Sequence, residues 1–265
     1  MASPTNAKTD AKLSANPRDW GRLERVAWIR AGALGDLVVG LAALAELPNF
    51  FPKARITVVG PKAWLEVLSP TEFPFVERIA VVERRGESAR IVVPRADGWA
   101  ASGETDLPVA ELLATCDGVV NTNIDSLRYG FAALKARVPV RVGSAPGPWD
   151  FLYTHSSPFF GKDPLIHERD AALLLLELAT SSFARHFATT YGNRRKLQKY
   201  LSESTLVAKW RERGLPQAKK PNLERAQQLT GRARGSYVLF NPTASRREKT
   251  WPSERMRELM VSLER

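Results

Sequence analysis

The chain has 265 residues, of which 44% are hydrophobic and 25% are charged, as is usual for a globular protein. Its longest apolar stretch, residues 171–176, is far shorter than the roughly 20 residues that a membrane-spanning helix needs. The single cysteine, Cys116, excludes an internal disulfide and favours a reducing compartment, so we expect a cytoplasmic protein.

The net charge of +11 is concentrated in the last third of the chain. Residues 185–265 contain 19 Lys and Arg against 7 Asp and Glu, whereas residues 1–184 contain 20 against 21. A basic segment of this kind can attract nucleic acid, an anionic membrane surface or a phosphorylated substrate. A solvent-exposed helix and linker without any charged partner explains this concentration of basic residues equally well.

The first part of the chain predicts a disordered tail followed by one α/β domain. Residues 1–24 are largely polar, and residues 25–184 then alternate short apolar strands with helices. This alternation predicts a Rossmann-like parallel sheet covered on both faces. Residues 83–105 are assigned to no element beyond a turn at Asp97 and Gly98. The predicted strands are 26–30, 56–59, 79–82, 118–121 and 138–142.

The last part of the chain predicts a linker and the start of a second domain. After a helix at about 168–181, residues 185–235 are basic and predict a helical linker. A strand and a helix follow within 236–265, which we interpret as the first βα unit of an incomplete second Rossmann-like domain. Since one βα unit cannot bury its own apolar face, the final helix is expected to expose Met256, Leu259, Met260 or Leu263.

The loop between the first strand and the first helix is the first candidate site. Gly32 and Gly35 permit a tight turn and a close ligand approach, and the helix N-terminus offers N–H groups to an anion. Asp36 lies at the carboxyl end of a central strand, where a carboxylate can act as a general base. Alternatively, Asp36 only caps the helix. The dinucleotide-binding glycine pattern is absent from this loop.

A second strand-to-helix loop, residues 241–252, is the other candidate site. The hydroxyls of Thr243 and Ser245, the backbone N–H groups and Lys249 can converge on a diphosphate at the helix start. A capped surface loop with scattered charges is the alternative interpretation.

In this order, the motifs resemble glycosyltransferase family 9, the ADP-heptose:lipopolysaccharide heptosyltransferases. The resemblance covers about residues 25–264. It departs from the family at Val39 and Ala42, where His and Pro are frequent, and at Asn241 and Thr243, where His and Gly are usual. The matching segments are Gly32-Ala33-Leu34-Gly35-Asp36, Arg141-Val142-Gly143, Leu152-Tyr153-Thr154-His155, His167-Glu168 and Asn241 to Pro252.

The resemblance implies a GT-B fold, in which two Rossmann-like domains face each other across a cleft. It implies that Asp36 is the catalytic base of an inverting transfer, that Gly32 and Gly35 belong to the acceptor loop, and that Thr243, Ser245 and Lys249 bind the donor. It further implies a nucleotide-sugar donor such as ADP-heptose, an anionic lipid-linked saccharide acceptor and a location at the inner face of the cytoplasmic membrane. We expect no metal, no separate cofactor and no nucleic-acid partner.

Other functions stay open at the level of sequence. A non-catalytic acceptor-binding module, or a degenerate fragment without the donor half, accounts for the same first domain. A nucleotide-dependent oxidoreductase is disfavoured by the missing glycine fingerprint. His155 and His167 are expected to be structural or capping residues.

Overall fold

A computed structural model describes residues 17–32, 34–83, 88–96, 98–103, 106–123, 127–145, 147–157, 167–180 and 194–213. The chain divides into two compact units, residues 1–215 and 216–265. The second unit lies outside the described residues, as do the predicted strand and helix within 236–265.

One mixed sheet organises the first unit. Its order is β5-β4-β3-β2-β1-β7-β8-β9, and the short strand β6 pairs with β4. Strands β3, β2, β1, β7, β8 and β9 run parallel to one another. The strands are Arg25–Ile29 (β1), Arg55–Gly60 (β2), Val76–Val82 (β3), Ser88–Arg95 (β4), Gly98–Ala101 (β5), Leu107–Pro108 (β6), Gly118–Asn121 (β7), Val140–Ser144 (β8) and His155–Ser157 (β9).

All five predicted strands belong to this parallel part, which confirms the predicted Rossmann-like α/β sheet. Four residues of β1 are fully buried because helices cover both faces of the sheet. Val26 and Trp28 pack into the core on one face, and Ala27 and Ile29 pack into the core on the other. The period-two alternation of the strand therefore divides its side chains between two cores.

An antiparallel extension completes the sheet beyond β3. A turn is predicted at Asp97 and Gly98; Asp97 lies outside the described residues, and Gly98, with a φ of 142°, begins β5 shortly after the end of β4. Strand β4 pairs with β3, β5 and β6, all antiparallel. The sequence assigns no strand to residues 83–105 because the described part of this ribbon is only half buried: Ser88 and Arg90 are exposed beside the buried Ala89 and Ile91.

Seven helices are described alongside the strands, together with 3₁₀ helices at Pro17–Arg22 and Gly147–Leu152. Helices α1 and α5 pack into the core that contains Trp28, and α3 and α4 pack into the core that contains Ile29. Within the described residues, no helix is both long and apolar enough to cross a bilayer. The helices are Leu34–Phe50 (α1), Trp64–Val67 (α2), Val109–Ala114 (α3), Leu127–Lys135 (α4), Glu168–Thr180 (α5), Arg194–Glu203 (α6) and Thr205–Arg213 (α7).

The N-terminal boundary differs from the prediction. The sequence predicts a disordered tail that includes residues 17–24, but Trp20 and Leu23 are fully buried in the main core. Trp20 stacks on Phe51 with ring centroids 5.2 Å apart and meets His155 edge-on at 5.0 Å. Burial of two large apolar side chains overrides the polar composition around them.

The predicted linker at 185–235 also requires correction, because residues 194–213 form helices that belong to the first unit. Val207 and Trp210 of α7 pack with the apolar side chains of α5. Glu46 of α1 accepts hydrogen bonds from Lys209 Nζ and Trp210 Nε1, both at 2.7 Å. Burial raises the pKa of Glu46, but hydrogen bonds from Lys209, Asn49 and Trp210 outweigh it, so the pKa lies below its ordinary value. Buried contacts therefore fix α7.

Candidate functional site at the carboxyl edge of the sheet

The β1–α1 loop brings Gly32 and Asp36 into direct contact. Asp36 lies in the first turn of α1, and its carboxylate folds back over Gly32. A Cβ atom at position 32 would lie 2.4 Å from Asp36 Oδ2 and 2.5 Å from Asp36 Cβ, which is closer than real contacts allow. Glycine is therefore required at position 32 to leave room for the carboxylate.

Gly35 has a different environment from Gly32. It is exposed, and a Cβ atom at position 35 would find nothing within 4 Å. Packing against the described residues therefore does not demand glycine here. The space beside the Asp36 turn is open, at the sheet edge where α/β proteins commonly bind their ligands.

Arg30, which directly follows β1, connects this loop to the rest of the edge. The residue is only 3% exposed. Its Nε donates to the Asp36 backbone oxygen at 3.1 Å, and its Nη1 donates to the Thr122 backbone oxygen at 2.7 Å. Its Nη2 donates to the Glu168 carboxylate. One guanidinium thus holds α1, the end of β7 and the start of α5 together.

The backbone of Arg30 is held as firmly as its side chain. Its N–H donates to the Val59 carbonyl at 3.0 Å, and its carbonyl accepts the indole N–H of Trp64 at 2.9 Å. A Cβ atom at Gly60 would lie 2.3 Å from the Arg30 oxygen and 2.4 Å from Trp64 Nε1. Position 60 is therefore glycine because the indole approaches the β1 backbone at that point.

The end of β7 supplies a second polar layer at this edge. Asn121 Nδ2 donates to the Tyr153 hydroxyl at 2.7 Å, and Asn121 Oδ1 accepts the Asn123 N–H at 3.0 Å. Burial raises the pKa of the Tyr153 hydroxyl, against the lowering effect of the Asn121 hydrogen bond. The phenol therefore stays neutral and acts as a fixed hydrogen-bonding group.

Two histidines, His155 and His167, lie in the part of the first unit that the structure describes, and both have structural environments. His155 is 6% exposed, contacts the Trp20 ring and lies 3.0 Å from Thr154 Oγ1 through Nδ1. His167 Nδ1 accepts the N–H of Arg169 at 3.2 Å, so it caps the N-terminus of α5. Both agree with the structural or capping roles expected from the sequence.

The structure therefore brings together Gly32, Gly35 and Asp36, whereas Thr243, Ser245 and Lys249 lie outside the described residues. The roles of all six residues stay predictions. Sequence reasoning missed Arg30 and its partners Thr122 and Glu168. The available signal was a charged residue at the end of a buried strand, since a buried guanidinium needs several acceptors.

Comparisons with solved structures place this architecture among known folds. A glycosyl transferase of family 9 from Veillonella parvula is 16% identical, with a TM-score of 0.50, over 91% of this chain and 59% of that chain. The fold is that of a family 9 glycosyltransferase. E. coli heptosyltransferase WaaC with ADP is 17% identical over 90% of this chain and 63% of that one, with a TM-score of 0.47. E. coli ADP-heptose LPS heptosyltransferase II is 15% identical over 90% and 61%, also with a TM-score of 0.47.

The fold likeness to the Veillonella parvula protein agrees with the resemblance that the ordered motifs predicted and with the Rossmann-like α/β class. The chain spans about three fifths of the length of these solved structures. No protein-family model matches the sequence, and no curated protein matches it.

Proposed function

We propose that this chain contains the acceptor-binding part of an inverting glycosyltransferase, with Asp36 as its general base. The observation that carries the proposal is the placement of the Asp36 carboxylate. It lies over Gly32 at the carboxyl edge of the sheet, next to open space at Gly35. The proposed reaction transfers a heptose-like sugar from a nucleotide sugar to a lipopolysaccharide-type acceptor.

The reaction needs one base on the acceptor side. The acceptor hydroxyl gives its proton to the Asp36 carboxylate while its oxygen forms a bond to the anomeric carbon of the donor. The bond from that carbon to the diphosphate oxygen breaks, and the nucleoside diphosphate leaves with the electron pair. A single displacement inverts the anomeric configuration.

Arg30 supports this role by fixing the backbone of the base. Its hydrogen bond to the Asp36 carbonyl holds the first turn of α1 against the ends of β1 and β7. A base must lie within hydrogen-bond reach of the proton that it removes, so small shifts of this turn matter for the rate. We assign Arg30 as a positioning residue, because its described contacts are to protein groups.

The donor side of the proposal rests on the second loop. Thr243, Ser245 and Lys249 are proposed to bind the donor diphosphate through hydroxyl groups and one cation. The donor is proposed to be ADP-heptose, because one of the similar solved structures holds ADP and another holds ADP-2-deoxy-2-fluoro heptose. The protein is proposed to act in the cytoplasm at the inner membrane, where a lipid-linked acceptor is accessible.

The catalytic assignment is tested by measuring sugar transfer by the Asp36→Asn variant, in a form of the protein that binds the nucleotide sugar. We expect the rate to fall by roughly 10²–10⁴-fold, the usual contribution of a general base, with little change in donor affinity. Glu66→Gln is the matched control, because Glu66 is an exposed acid in the first turn of α2, which follows β2. It should retain normal turnover.

A capping role for Asp36 predicts the opposite pattern. Asp36→Asn would then cost about 1 kcal/mol of stability or less and keep nearly normal turnover. Lys249→Ala tests the donor side separately, since it should weaken ADP binding in calorimetry while acceptor binding is unchanged. Normal turnover in Asp36→Asn would remove the base assignment even if donor binding is confirmed.

A non-catalytic acceptor-binding module is the second candidate, favoured by the position of Asp36 in the first turn of α1, where a carboxylate also stabilises the helix without any catalytic role. Calorimetry with an ADP-sugar separates the two candidates. Binding supports the transferase. Acceptor binding without donor binding supports the module.

A further inference from the structure

Three aromatic side chains form an exposed cluster, which we call the aromatic patch: Phe131, Trp149 and Phe151. Their exposed fractions are 42%, 39% and 54%. Among the described residues, these three are the large hydrophobic side chains that remain exposed. Scattered exposed apolar residues need no explanation, but a contiguous group is typical of an interaction surface.

The rings of the aromatic patch contact one another. Phe131 meets Trp149 edge-on at 5.5 Å and Phe151 edge-on at 6.5 Å, and Trp149 lies 5.9 Å from Phe151. The patch combines α4 with the 3₁₀ helix that follows β8. Because each ring packs against the other two, the patch is already assembled before any partner binds.

The two helices that carry the patch are packed closely together. A Cβ atom at Gly130 of α4 would lie 3.1 Å from Leu152 Cδ1 and 3.0 Å from the Tyr153 hydroxyl. Leu152 is fully buried, whereas its neighbour Phe151 is exposed. The close packing of the two helices therefore fixes the positions of the exposed rings. Because Leu152 is turned into the core, its neighbour Phe151 is left at the surface.

Positive charge flanks the patch on α4. Arg128, Phe131 and Lys135 are all exposed, and their spacing of three and four residues places them on one stripe of the helix. Asp150, the acid within the 3₁₀ helix, is only partly exposed. On this stripe Phe131 lies between two cations. The Arg128 guanidinium lies over the Tyr129 ring, 4.6 Å from its centroid, and donates to the Tyr129 hydroxyl at 2.6 Å.

We propose that the aromatic patch docks the chain on an anionic lipid surface. Aromatic rings are favoured at the boundary between headgroups and acyl chains, and Lys and Arg beside them attract anionic lipids. A second copy of the chain fits less well, because a two-fold contact through this stripe would bring its cations close to each other. Charge complementarity therefore selects the lipid.

The location of the patch adds a consequence for function. Helix α4 follows β7 and the 3₁₀ helix follows β8, at the sheet edge where Asp36 follows β1. Docking through the patch brings that edge towards the bilayer. The docking itself does not rest on the proposed transfer, since Asp36→Asn should bind lipid like the wild type.

Vesicle cosedimentation tests the proposal with the full chain. Phosphatidylcholine vesicles containing phosphatidylglycerol should bind the protein, and binding should weaken as salt rises. The triple variant F131S/W149S/F151S should partition at least about tenfold less, because it loses the apolar anchors. Arg128→Gln with Lys135→Gln should partition about 30-fold less, since each cation near an anionic surface contributes a factor of about five.

Lys53→Gln with Arg55→Gln is the matched control, because it removes two exposed cations at the opposite edge of the sheet. It should bind vesicles nearly as the wild type does. Thermal melting of each variant establishes that it is folded, and the conservative Trp149→Phe should retain binding. Equal binding by the wild type, the triple variant and the charge variant would overturn the proposal. So would a wild-type dimer in sedimentation velocity that the triple variant abolishes, without vesicle binding.

Discussion

Replacement of Arg30 by methionine isolates the contribution of one buried guanidinium to this fold. Methionine keeps an unbranched, flexible side chain in the same space but removes every donor. The Thr122 backbone oxygen, in a residue that is fully buried, loses the hydrogen bond from Arg30 Nη1. The Asp36 backbone oxygen loses the bond from Nε.

The expected cost follows from the exposure of each partner. A buried acceptor left without its donor costs about 1–3 kcal/mol, which applies to the Thr122 oxygen. The Asp36 oxygen, at the start of α1, adds about 1 kcal/mol. The Glu168 side chain is 57% exposed, so solvent screening limits the ion pair to about 0–1 kcal/mol. We therefore expect Arg30→Met to lower the free energy of unfolding by about 2–5 kcal/mol.

Equilibrium unfolding in urea measures this change as a lower midpoint at an unchanged slope. Arg30→Lys is the matched control, because an ammonium keeps the charge but cannot span three acceptors with a planar fork. It should fall between the wild type and the methionine variant. Glu168→Gln should cost less than about 1 kcal/mol. If Arg30→Met is as stable as the wild type, then Arg30 does not hold α1, the end of β7 and the start of α5 together.

Two further predictions concern packing and pH. Gly143→Ala would place a Cβ atom 2.2 Å from the Tyr153 ring, so we expect a lower melting temperature and loss of the Asn121 hydrogen bond to the Tyr153 hydroxyl. A melting temperature equal to that of the wild type would show that the ring relaxes freely. The pKa of Glu46 is lower in the folded chain than its ordinary value of 4.5, so its stabilising contribution is present above that pH and is lost as the pH falls through the folded value. The free energy of unfolding in urea should fall in the wild type as the pH is lowered across this range, and it should depend less on pH in Glu46→Gln. Identical pH profiles of the two proteins would contradict the role of Lys209 and its neighbours on α7.

The sequence determined the parallel part of the sheet because its signal is local. Buried strands such as β1 and β7 are short apolar runs in the sequence. The residues directly after each run indicate the turn and the helix that follow the strand. The position of Asp36 at the carboxyl edge follows from the same reasoning, since it comes directly after the first strand. The ordered motifs also predicted the family whose fold the structure shares.

The tertiary structure decided what depends on contacts between distant residues. Trp20 belongs to the core because Phe51 and His155 provide ring surfaces for it, and nothing in its polar neighbourhood predicts that. Arg30 is buried because Thr122 and Glu168, about 90 and 140 residues away, bring acceptors to it. Burial and long-range hydrogen bonding are properties of the folded chain, so composition and periodicity do not reveal them.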